Sequence, residues 1–138
     1  DGIMIAEHAL GEATPGMRPL EAAHAVLDAI MEGLGSEGLS DIALRLAIVH
    51  ENPTLLKALY ARIPRWVQVV DTLLPTSLRT DDSDFASHLI ASAMVLYWVE
   101  TMCEWSCRGG IDADAALLRA VAHETDAAMA SLLPTQTR

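Results

Sequence analysis

The chain has 138 residues, 51% of them hydrophobic, and a formal charge of −10, which allows one sizeable core and excludes intrinsic disorder. The charge also excludes a phosphate backbone as a direct partner of this segment, because nucleic-acid affinity begins with Lys and Arg neutralising phosphates. The longest nearly apolar run, Leu89 to Val99, is interrupted by Ser92 and stops at Glu100, well short of the roughly 20 residues that span a bilayer, so no membrane partner is expected.

The opening, DGIMIAEHAL, has no basic leader and no export-type cleavage signature, which predicts a cytoplasmic location, and the lack of an initiator Met points to a piece of a longer chain. Strand signals are nearly absent, and Ala and Leu favour helix at almost every position, so the expected fold class is all-α in a single domain over residues 1–138. Ile3 to Leu10 reads as the tail of a helix, followed by a GEATPG loop. From Pro19 to Leu34 the residues Leu20, Ala23, Leu27, Ile30, Met31 and Leu34 share one face, Glu21, Asp28 and Glu32 the other, and Gly35 ends the helix. Ser40 or a neighbour then caps a shorter aliphatic helix to about Glu51, expected to be buried on most sides.

The step HENPTLL predicts a restart with Asn52 as N-cap and Pro53 at the first helical position, where its missing N–H is harmless. The helix that follows runs to Leu74 with an apolar arc through Leu55, Leu56, Leu59, Ile63, Trp66, Val67 and Val70, and Pro64 should kink or split it. Beyond Pro75 the polar loop TSLRTDDSD offers N-caps to the longest segment, which runs to Arg108 and ends at Gly109-Gly110. That segment is apolar on two faces. One holds Phe85, Leu89, Leu96, Val99 and Cys103; the other holds Ala91, Met94, Val95, Trp98, Met102 and Trp105. Asp112 is the expected cap of a last helix to Leu133, whose apolar arc is also wide, and Pro134 ends it.

Two wide apolar helices in so short a chain need more cover than the other helices supply, and a second copy could provide it by pairing both helices with their mates in a four-helix bundle. The candidate dimer interface is Phe85, Leu89, Leu96, Leu117, Val121, Ala128 and Leu132. The order of elements, through PLEAAHAVLDAIMEGLG, IALRLAIVHENPTLLKALYARIPRWVQVVDTLL, DFASHLIASAMVLYWVETMCEWSCRGG and DADAALLRAVAHETDAAMASLL, resembles the C-terminal domain of TetR-family transcriptional regulators, with IVHENPTLLKALYAR as its most characteristic stretch. The resemblance implies a ligand-binding and dimerisation bundle in which a small molecule shifts helix packing and thereby alters operator binding by a DNA-reading unit in the parent protein. No helix-turn-helix sequence occurs within these 138 residues.

The aromatic residues are few and concentrated. Tyr60, Ile63, Trp66, His88, Met94, Trp98 and Met102 are the candidate ligand-binding residues, because Trp and Met walls suit an apolar or amphipathic effector and His88 could bond a polar group on it. The same residues could equally be core or dimer contacts, and His88 a half-buried histidine satisfied by a neighbour. Glu21 and His24 form one Glu-x-x-His pair, whereas a carboxylate-bridged dimetal site needs two such pairs and two further Glu, so neither metal nor other cofactor is expected. Glu100, Thr101, Glu104 and Arg108 read as a solvated polar stripe, in which a Glu facing a cavity could pair with a cationic ligand. Both cysteines, Cys103 and Cys107, stand four apart without zinc-type spacing and read as buried thiols. No phosphate loop, nucleophile elbow or Ser, His and Asp arrangement is present in the sequence, which argues against an enzyme. A small metal-dependent helical enzyme and a helical adaptor with an exposed apolar groove are the rival readings.

Overall fold

The computed structural model describes residues 2–11, 17–74 and 84–132, with the side chains of 2–6 left aside, and every regular element among them is helical. Helix α1 is Gly2–Gly11, α2 is Pro19–Glu51, α3 is Pro53–Ala61, α4 is Ile63–Leu73, α5 is Asp84–Gly109 and α6 is Ala115–Ser131; a 3₁₀ turn, Gly110–Asp112, joins the last two. None of these helices is long and apolar enough to cross a membrane. The GEATPG loop, the caps expected in TSLRTDDSD, and the expected end at Leu133 and Pro134 lie largely or wholly outside the described residues.

Helix α2 breaks where the sequence places the break. Gly35 has φ 67° and ψ −177°, a conformation essentially reserved for glycine. The helix resumes at once, however, and Ser40 lies inside it as an exposed residue instead of capping a new start. One glycine suffices to redirect the chain, and continuing as helix puts Leu39 and Ala43, one turn apart, in the core. The stretch 36–51 is not buried on most sides as expected: Leu44 and Ile48 are about half exposed, because this half of α2 sits at the edge of the bundle.

Asn52 caps α3 through its side chain, which accepts from the backbone N–H of Thr54 (3.0 Å) and Leu55 (3.3 Å). The proline-directed split falls at Arg62, which leaves Pro64 in the first turn of α4, where the missing N–H breaks no helical bond. Gly110, at φ 54°, turns the chain out of α5, and the cap of α6 is Asp114, accepting from the Leu117 N–H at 2.9 Å. Asp112, the expected cap, lies in the 3₁₀ turn instead.

Helix α5 is the centre of the bundle, with α2, α4 and α6 packed around it, while α1 lies on α2. Trp105 is completely buried and donates its indole N–H to the Asp114 carbonyl at 2.8 Å, which ties the end of α5 to the start of α6. The same core also holds Leu27, Met94, Leu118, Val121 and Ala122.

The candidate functional site

A cavity of about 470 Å³ opens between the two halves of α2, helices α3 and α4, and the middle of α5. It lies within the size range of pockets that accept a drug-sized molecule. Its walls are Val26, Ile30, Ile42 and Leu46 from α2, Leu59 from α3, Trp66, Val69, Val70 and Leu73 from α4, and Val95, Trp98, Val99, Met102 and Cys103 from α5. No charged side chain lines it.

Local structure explains why these residues converge. In α4, Trp66, Val69, Val70 and Leu73 repeat at three- and four-residue spacing and form one stripe. Five α5 residues from Val95 to Cys103 do the same from the opposite wall. Trp98 is fixed in that wall by a bond from its indole N–H to the Ala23 carbonyl at 2.8 Å. With this donor engaged, Trp98 offers the cavity an apolar ring face. Trp66 has no hydrogen-bond partner for its indole nitrogen, and that nitrogen is not buried. The Cys103 thiol is pushed up to about 11, first by burial and then by the charge of Glu100, which keeps it protonated and a poor nucleophile at neutral pH. Cys107, expected to be buried like Cys103, is exposed.

At the rim, Tyr60 donates its hydroxyl to Glu100 Oε1 at 2.9 Å, bridging α3 and α5 beside the wall residues Leu59, Val99 and Cys103. Partial burial and then the Glu100 hydrogen bond push the Tyr60 hydroxyl up to about 12.

Of the seven candidate ligand residues, the structure brings Trp66, Trp98 and Met102 into the cavity wall. Tyr60 stands next to Leu59 at the rim, outside the lining itself. Ile63 packs against the core near the start of α4, and Met94 is buried among core residues on another side of α5. His88 is exposed near the beginning of α5 and does not join the wall. The wall residues missing from the candidate set are mostly aliphatic. Nothing in an aliphatic residue's identity separates a cavity wall from a packed core; only the arrangement of three other helices does.

The second apolar face of α5 is shared between core and cavity: Ala91, Met94 and Trp105 are buried by the chain's own helices, while Val95, Trp98 and Met102 belong to the cavity wall. The first face is divided. Phe85 is 67% exposed, Leu89 50% and Leu96 42%, whereas Val99 and Cys103, further along the same face, belong to the cavity wall. On α6 Ala128 is exposed and Leu117 half-buried, and Leu132, at the cap just beyond α6, is exposed. Val121 is only 2% exposed and sits in the chain's own core, so it is withdrawn from the candidate dimer contacts.

A polar cluster lies on the far side of α5. The buried Tyr97 donates its hydroxyl to Asp126 at 2.8 Å, and His24 Nδ1 lies 3.0 Å from both the Tyr97 oxygen and Asp126 Oδ2. Burial, reinforced by the Asp126 bond, holds the Tyr97 hydroxyl far above its ordinary range. Glu21 takes no part, because its carboxylate accepts the Arg18 backbone N–H at 3.1 Å. The Glu-x-x-His pair therefore diverges, one residue capping its helix and the other joining Tyr97. No group of three or more metal-ligating side chains gathers among the described residues.

The polar stripe of α5 is not uniformly solvated. Thr101 is buried and its hydroxyl is 2.8 Å from that of Thr125, while Arg108 joins Glu104 on its own helix to Glu124 on α6. The two carboxylates raise the Arg108 guanidinium, and Arg108 in turn lowers Glu124. In comparisons with known proteins the chain shows no significant match to any family model, curated protein or solved structure.

Proposed function

We propose that this chain is the effector-binding and dimerisation domain of a TetR-type transcriptional regulator, a sensor and not an enzyme. The observation that carries the reading is the apolar cavity of about 470 Å³ walled by four helices. Wall residues facing that space forgo burial worth ~25 cal/mol per Å² of apolar surface, and an apolar or amphipathic small molecule would recover it. Because α5 belongs to both the cavity wall and the exposed stripe Phe85, Leu89 and Leu96, a ligand that favours one seating of α5 would bias a homodimer built on that stripe. In this reading DNA is contacted only through a helix-turn-helix unit of the parent protein, and the domain works in the cytoplasm of a bacterium.

Light scattering across a dilution series, with a parallel titration by the neutral dye Nile red, tests both parts. The expected result is a dimer at micromolar concentration that takes up the dye in saturable fashion, one per chain. A monomer at all concentrations would remove the dimerisation claim, and unsaturable or absent dye uptake would remove the sensor claim.

A further inference from the structure

The rim of the cavity carries a carboxylate without a cationic partner. Glu100 is exposed, accepts the Tyr60 hydroxyl, and among the described residues has no Lys, Arg or His within ion-pair distance. The contrast with its neighbour one turn along is direct, because Glu104 is paired with Arg108 at 2.8 Å. On a helical projection Glu100 follows Val99 and stands about 60° around the helix from Cys103, so it borders the apolar stripe that forms the α5 wall. Its charge acts on both rim and wall, since it contributes to the upward displacement of the Tyr60 hydroxyl and of the Cys103 thiol. No basic side chain lines the cavity, and the chain as a whole is acidic.

We propose that the molecule this cavity is built to take is an amphipathic monocation, its apolar body between Trp66, Trp98 and Met102 and its cationic head at the Glu100 carboxylate. The assignment rests on the sensor reading of the cavity and adds the sign of the ligand's charge. The body gains from leaving water. The head stays at the rim, where Glu100 replaces part of its hydration without the desolvation cost that full burial of an ion pair would carry. An anionic head of the same size would meet Glu100 without a compensating donor, except the Tyr60 hydroxyl already engaged there. Tyr60 thus holds the carboxylate at the rim.

The test uses three probes with one decyl chain, decyltrimethylammonium, decyl sulfate and 1-decanol, below their micelle-forming or solubility limits. Binding is read from the fluorescence of the cavity tryptophans at 0.15 M salt, where long-range fields are screened beyond about 8 Å. The variants are Glu100→Gln and, as a control that removes the same charge one turn away, Glu104→Gln. The expected result is that the cation half-saturates at a concentration about tenfold lower than the anion. That ratio should fall at least about fivefold in Glu100→Gln and persist in Glu104→Gln, the range expected for a single rim charge pair. Equal weakening by the two variants would assign the preference to net charge and overturn the role of Glu100. Binding of 1-decanol with no preference between the charged heads would overturn the cation assignment and leave the sensor reading standing. Failure of all three probes to bind would overturn both. Unchanged circular dichroism and melting temperature in the variants, expected for exposed side chains, separate these outcomes from misfolding.

Discussion

The two flanks of α5 are built to different rules. Toward the first half of α2 and toward α6, large side chains and their polar atoms are fully engaged: Trp105 is bonded to Asp114, Tyr97 to Asp126 and His24, and Thr101 to Thr125. Toward α3 and α4 the helix meets walls that do not close on it. Helix α3 has no buried residue, and the space it bounds is lined by apolar groups with little left to hydrogen-bond. With one flank closely packed and the other bounding a cavity, only one side of α5 is committed to a single packing, the arrangement that the proposed ligand response requires.

Breaking the closed flank should have the largest effect. Trp105→Ala removes a fully buried indole and its bond to Asp114, and should lower unfolding free energy by about 3–5 kcal/mol in urea titrations. Tyr97→Phe keeps the ring but removes the hydroxyl that donates to Asp126 and touches His24, leaving only the direct His24–Asp126 contact, and should cost about 1–3 kcal/mol. On the open flank the double variant Val69→Phe with Val99→Phe adds volume where space exists, so its stability should stay within about 1 kcal/mol of the parent. A loss as large as that of Trp105→Ala would mean that the space is not there. On the exposed stripe, Leu89→Glu should change the stability of the chain by under about 0.5 kcal/mol while abolishing, in light scattering, the dimer proposed on that stripe.

The thiols sharpen the same contrast by pH. Since burial pushes the Cys103 thiol up to about 11, its labelling by a disulfide reagent should rise about tenfold per pH unit from 8 to 10. The unfolded thiol ionises near its ordinary value, below 11, so above that value the unfolded state loses a proton that the folded state keeps. Stability therefore falls with rising pH through the interval between the two. The exposed Cys107 should react first, and a saturating cavity probe should slow Cys103 alone.

The local grammar of the fold was legible in the sequence. Gly35, Asn52-Pro53, Pro64 and Gly109-Gly110 mark breaks and caps through local chemistry: glycine's missing Cβ, proline's ring and the Asn52 side-chain oxygen. The shift from Ser40 to an immediate restart, and from Asp112 to Asp114, came from tertiary packing: Leu39 had to reach the core, and a 3₁₀ turn had to return the chain to α6. The site was less legible. Trp66, Trp98 and Met102 stood out by type, but their partners Ile42, Leu46, Leu59 and Val69 are aliphatic residues whose exposure to a cavity depends on which helices fail to meet. His88 was misplaced because its periodicity gives a helix face and not a height along the bundle. Val121 was misplaced because a wide apolar arc does not reveal which part the chain covers by itself.

The most direct test of a ligand-binding cavity is a Nile red titration of the parent chain beside the Val69→Phe, Val99→Phe variant, both at concentrations where circular dichroism shows them folded. The expected result is one saturable site per chain in the parent and its loss in the filled variant. Equal dye binding by both proteins would contradict the cavity as the site, and with it the reading of this domain as a small-molecule sensor.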